Sequence, residues 1–114
     1  MTGPEGLREH RHTPRPGIIR ITHVPSGRTH LNCSTDAPAL LNHTRFELQT
    51  GTHRALALQR DWNTDGPDSL TFELLDELPP PRTGTRTPAA LRDDLKELLT
   101  LWQETLNIPP DRTA

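Results

Sequence analysis

The chain has 114 residues, 31% of them apolar and 25% charged, with a formal net charge of −2. That suffices for one small domain with a small core, and no apolar run is long enough to span a bilayer. Cys33 is the single cysteine, which excludes an internal disulfide and a multi-cysteine metal site and fits a reducing, cytoplasmic setting.

Even with the 7 glycines added, the apolar share reaches only about 37%, against about 45–50% in ordinary domains. The shortfall concentrates at the start. Residues 1–16 carry Pro4, Pro14 and Pro16, alternate Glu5, Arg8, Glu9 and Arg11, and offer only Leu7 as a large aliphatic side chain. Such a segment buries too little surface to offset its ordering entropy and reads as a disordered N-terminal tail. Charge is uneven as well. Residues 17–78 hold five arginines against eight acids, residues 79–114 hold five basic against five acidic side chains, and the tail is net positive by one. A bulk basic footprint of the kind that grips nucleic acid is therefore missing.

The first element is "GIIRIT" (17–22), short and β-branched, hence a strand. "VPSGR" follows, with Pro25 early in a turn and Gly27 where positive φ is needed. "RTHLNCS" (28–34) returns as the second hairpin strand, and Cys33 reads as a small strand residue. Asp36 is placed to cap a helix that starts at Ala37 and Pro38, shows Ala37, Leu40, Leu41, Thr44 and Leu48 at helical spacing, and ends at Gly51. A second, short helix is expected from His53 to about Trp62, with Ala55, Leu58, Gln59 and Trp62 on one side and a break at Asn63–Pro67. "SLTFELL" (69–75) alternates Leu70, Phe72 and Leu74 with more polar neighbours and reads as a third strand. Pro79–Gly84 is an extended connector. The last helix starts at Thr87-Pro88, carries the stripe Leu91, Leu95, Leu98, Leu99, Trp102 and Leu106, and stops before Pro109-Pro110. Trp62 and Trp102 sit in apolar stripes, so both are assigned to the core rather than to base stacking. The expected fold is α+β, a small three-stranded antiparallel sheet flanked by helices over residues 17–107, with 108–114 as a C-terminal tail.

The order hairpin, helix, short helix, strand, long helix resembles the GIY-YIG nuclease superfamily, nearest to its phage-intron homing branch. Gly17-Ile18-Ile19 stands where Gly-Ile-Tyr would be, and His30-Leu31-Asn32 where Tyr-Ile-Gly would be. "LQTGTH" (48–53) matches Leu-x-x-Gly-x-His, "LQRDWNTDG" (58–66) matches Leu-Gln-x-x-(Trp/Phe)-Asn-x-x-Gly, and "FELLDEL" (72–78) and "LTLWQETLN" (99–107) match the strand and the end of the last helix. The resemblance implies a one-metal phosphodiesterase site. A glutamate on the last helix holds Mg²⁺ or Mn²⁺, an arginine on the first helix supports the phosphate, and tyrosines with a histidine position water. Mapped residue by residue, the two tyrosines fall on Ile19 and His30, the arginine on Leu40, a histidine on Thr44 and the metal glutamate on Leu99. Only His53 keeps the family's residue type. A slip of three or four positions supplies no carboxylate near Leu99 and no arginine near Leu40.

The chain is thus expected to be a catalytically degenerate GIY-YIG-type domain without a metal cofactor, a DNA-binding or DNA-metabolism accessory protein that contacts DNA weakly through Arg45, Arg54 and Arg60. Two alternatives stand beside it. One is an active, divergent, Mg²⁺- or Mn²⁺-dependent endonuclease using His30, His43 and His53 with a further carboxylate. The other is a protein-interaction module using the apolar former cleft, with Leu98 or Leu101 available for a homodimer contact. No membrane role is expected.

Overall fold

Strand β1 (Gly17–His23) is the centre of the molecule. It pairs antiparallel with β2 (Arg28–Ser34) on one side and with β3 (Leu70–Glu77) on the other, giving the order β2-β1-β3. The computed structural model describes residues 14–79, 81, 84, 86–109 and 112. Between the strands lie α1 (Ala37–Thr50), α2 (Leu56–Asp65) and a 3₁₀ turn (Pro67–Ser69), and α3 (Pro88–Leu106) follows β3. The α+β class, the three strands and their order in the chain are as the sequence indicates.

Besides being paired on both edges, β1 is covered by helices on both faces, and the isoleucines of the 18–21 run meet that demand. Ile18, Ile19 and Ile21 are fully buried. Alternation sends Ile19 and Ile21 to one face, where they meet Ala37 and Leu48 of α1, Leu58 of α2 and Leu70. Their β3 partners Leu74 and Phe72 lie on the same face, so the Leu70, Phe72, Leu74 alternation is the one expected. Leu31, fully buried, lies on the opposite face beside Arg20, and α3 packs there against β2 and β1. The Trp102 indole N–H donates to Asp76 Oδ2 at 2.9 Å and ties α3 to the end of β3.

Local chemistry explains the element ends. Gly27 (φ 74°) closes the 24–27 turn by donating its N–H to His23 O at 2.7 Å. Gly51 (φ 76°) ends α1 in the left-handed region. Thr87 caps α3 by accepting the Ala90 N–H at 3.1 Å, and Asn107 (φ 57°) ends it two residues before Pro109.

Several boundaries differ from those read in the sequence. The short helix runs from Leu56 to Asp65 rather than from His53 to Trp62. Residues 52–54 stay outside it because side chains satisfy their backbone: Gln59 Oε1 accepts the His53 N–H at 3.1 Å, and His53 Nδ1 accepts the Ala55 N–H at 3.0 Å. Strand β3 extends to Glu77, carried by pairing with Gly17 and Ile18. Asp36 occupies the N-cap of α1 without a capping bond from its side chain. Residues 14–16, assigned to the tail, are held. Arg15 O accepts the Ala37 N–H, Pro16 O accepts the Leu78 N–H, and the Arg15 guanidinium grips Glu77, holding that carboxyl below its usual range. Residues 1–13 lie outside the described residues. In the C-terminal segment Ile108 is buried, and Arg112 O accepts the Leu31 N–H at 3.1 Å along the outer edge of β2.

Gly17 owes its place to close approach. A Cβ there would run into the Asp76 carbonyl oxygen and the Glu77 Cα of the neighbouring strand. Gly17→Ala is expected to destabilise the fold by about 1–3 kcal/mol through overpacking against backbone, read from the urea midpoint. A loss within about 0.5 kcal/mol, the range of neutral surface changes, would show that β3 yields freely at this point.

Candidate functional site

The positions that the family resemblance assigns to chemistry divide into two groups. Ile19 lies in the core cluster and Leu40 packs against it. Thr44 is buried on α1. Leu99 is partly buried on α3, next in its stripe to buried Leu95 and Gln103. An aliphatic side chain offers no metal ligand, so the donor set does not fit the divalent cation that the resemblance implies.

His30 and His53 form the second group, and both are buried. His30 stands on β2 opposite Ile21, so the hairpin register turns it to the α1–α2 face of the sheet. Burial pushes both imidazoles below their ordinary range, and each is pushed further by neighbouring positive charge: Arg112 and Arg28 for His30, Arg54 for His53. His30 and His53 also act on each other electrostatically.

A carboxylate not singled out in the sequence joins them. Glu47 Oε2 lies 3.4 Å from His43 Nε2 one helical turn away, and its Oε1 lies 4.0 Å from His53 Nε2. Because His53 Nδ1 accepts the Ala55 N–H, the neutral ring carries its proton on Nε2, directed toward Glu47. That tautomer makes His53 a hydrogen-bond donor and leaves Nε2 without a lone pair for a metal. His30, His43 and His53 do not gather into a ligand set among the described residues.

The arginines named for DNA contact are all exposed. Arg45 lies over the Phe72 ring at 4.5 Å, a cation–π contact. Arg54 borders His53, and Arg60 stands on α2. Asp61, next to Arg60 in the chain, is turned inward and buried. Trp62 packs edge-on against Phe72 at 6.4 Å, as its core assignment requires. Leu98 and Leu101, named for a dimer contact, line an open groove of about 670 Å³ with Leu78 and Arg86.

A polar network at the far end of the hairpin was not visible in the sequence reading. His23 Nε2 lies 2.7 Å from Asp65 Oδ2, and Nδ1 lies 2.7 Å from Ser26 Oγ. Arg28 Nη2 donates to both Asp61 oxygens at 2.9 Å. The one available signal was Asp61 and Asp65 at i,i+4 spacing on a short helix, and that spacing alone names no partner.

Two solved structures are similar to this one. The catalytic domain of the homing endonuclease I-TevI aligns with a TM-score of 0.64 at 20% identity, covering 86% of this chain and 94% of that one. The chain has the GIY-YIG fold. A mutant of the catalytic domain of intron endonuclease I-TevI aligns at 0.63 with 22% identity, over 82% of this chain and 84% of that one. No protein-family model and no curated protein matches. A GIY-YIG fold explains why His30, Leu40 and His53 come from elements that pack together on one side of the sheet. Among the described residues, no helix is long and apolar enough to cross a membrane.

The lowered imidazoles set a direction for pH. An unfolded histidine titrates near 6.5, whereas folded His30 and His53 resist protonation. As pH falls through about 6.5 the unfolded chain takes up protons that the folded chain refuses, so stability is present above that pH and declines below it. The urea midpoint is expected to fall between pH 7.5 and 5, with a flatter slope in His30→Gln. Imidazole NMR titrations of His30 and His53 should give midpoints below 6.5; a midpoint at or above that value for either ring would contradict the assignment.

Proposed function

We propose that this protein is a catalytically silent GIY-YIG domain that works as a DNA-associated accessory and binds DNA weakly through its arginines. The observation that carries this reading is the burial of Ile19 and the packing of Leu40 onto the same core cluster. Where the family places a tyrosine hydroxyl and a guanidinium, this chain has committed both positions to apolar packing. A phosphodiester transition state accumulates negative charge on oxygen, and aliphatic side chains give it nothing.

DNA remains the first ligand to try because both similar structures are endonuclease domains. Affinity is expected to be low. Residues 17–78 are net acidic, and an acidic body repels the phosphate backbone at long range. Exposed Arg45, Arg54 and Arg60 supply the local attraction.

Glu47 supports a second reading, a divergent nuclease in which the His53 Nε2–H and the Glu47 carboxylate manage a proton. The two readings separate in a nicking assay on supercoiled DNA with Mg²⁺ or Mn²⁺. The expected result is no cleavage above background; metal-dependent nicking that disappears in His53→Ala would establish the nuclease. Binding is followed by fluorescence anisotropy. Log K should fall with log salt at a slope of about −2 to −3, the value for two or three phosphate contacts at about −0.9 each. Sequence should matter little, since phosphate contacts carry no base information. Tight, salt-resistant binding to one DNA form would replace this view with a specific site, and no binding at low salt would favour a protein partner.

A further inference from the structure

The hairpin–α2 junction holds more negative charge than its backbone favours. Asp61 and Asp65 are one turn apart on α2, a like-charge pair, and both belong to its C-terminal half, where the helix dipole is itself negative. No basic residue occupies the last turn of that helix. Asp61 is 7% exposed, so water screens it poorly. Arg28 answers the Asp61 carboxylate, while Asp65 faces the His23 ring.

Ligand chemistry converges at the same place. His23, Asp61 and Asp65 each offer one donor atom, and these atoms lie within 4.8 Å of one another. With Nδ1 bonded to the Ser26 hydroxyl, Nε2 is the His23 nitrogen that faces an ion, and it lies 2.7 Å from Asp65 Oδ2. Donors around a tetrahedral zinc ion at about 2.0–2.2 Å stand roughly 3.4 Å apart, so the Asp65 contact needs to open by less than about 1 Å. Asp65 has the freedom to do so, with its side chain 40% exposed. The outer partners that orient metal ligands are present: the Ser26 hydroxyl on His23 Nδ1, and Arg28 on the Asp61 carboxylate.

A second observation is independent of those contacts. His30 lies two positions from Arg28 on the same face of β2 and feels the Asp61 charge. It is 3% exposed, and its Nδ1 has no hydrogen-bond partner among the described residues. A buried imidazole nitrogen without a partner is costly unless something accepts or supplies a bond there.

We propose that His23, Asp61 and Asp65 bind a divalent transition metal of the zinc class, with His30 as the neighbouring imidazole, and that the ion clamps the hairpin turn to α2. The mixed nitrogen and carboxylate donor set favours Zn²⁺ or Co²⁺ over Mg²⁺ or Ca²⁺, which prefer oxygen alone. This site lies apart from the Leu40 and Leu99 positions and does not depend on whether the protein binds or cuts DNA.

The test is a Zn²⁺ titration of the full chain by calorimetry, repeated in a His10→Gln, His12→Gln background to remove the N-terminal imidazoles. Saturable binding of one ion is expected in both. Asp65→Asn and Asp61→Asn should each weaken it at least tenfold, and Zn²⁺ should raise the melting temperature of the unmodified chain but not of Asp65→Asn. Asp65 is exposed enough for its variant to fold, so that arm stands if Asp61→Asn does not. Visible absorption bands on adding Co²⁺, absent in Asp65→Asn, give a direct signature. Failure of Zn²⁺ to bind, or binding unchanged by Asp65→Asn, overturns the proposal.

Discussion

Burial of β1 on both faces and hydrogen bonding on both of its edges is the constraint from which the rest of this structure follows. A strand in that position must be apolar nearly throughout, and the run from Ile18 to Ile21 departs from that only at Arg20. Arg20 is tolerated because its cross-strand partner is Glu73, which accepts both guanidinium bonds at 3.0 Å. Because β1 is shared, α1 and α2 can cover one face while α3 covers the other. The tight approach of β3 at Gly17 follows from the same demand, and the bulge between Ile18 and Ile19 falls beside it.

That constraint also decides what the fold's functional positions can be. Ile19 lies on β1, and an apolar side chain there serves the core. Leu40 and Thr44 lie on the helix that packs above it, so apolar and small side chains bring α1 close to the sheet. His30 and His53 are desolvated, and their neutral forms are favoured for that reason. Gln59 shows how buried polarity is made tolerable here. Its side chain accepts from His53 N–H and donates to Leu48 O and Asn63 Oδ1, bridging the end of α1, the connecting loop and α2.

The polar end of the hairpin works on a different principle. There, side-chain hydrogen bonds and ion pairs join the elements. Ser26, His23, Asp65, Arg28 and Asp61 join the turn to α2, and the Val24 N–H donates to Ser69 O at 2.8 Å, joining it to the 3₁₀ turn as well. With so thin an apolar share in the chain, such charged joints carry part of the work of holding α2 in place.

By itself the sequence determined the elements and the fold. The β-branched run at 18–21, the Gly27 turn, the Gly51 stop, the Leu70–Phe72–Leu74 alternation and the Thr87-Pro88 start are local signals, and short-range sterics and hydrogen bonding fix them wherever the chain goes. It also supplied the resemblance that His53 and the 58–66 stretch carry. Tertiary structure decided the rest. The start of α2 moved to Leu56 because Gln59, six residues on from His53, satisfied the loop. Glu47 met His53 only once α1 had ended and turned back at Gly51. The largest omission, the His23–Asp65 and Arg28–Asp61 pairs, spans 42 and 33 residues. No periodicity encodes a contact at that distance. It exists because the sheet places the hairpin turn beside the C-terminal end of α2, where unfavourable carboxylates need positive charge.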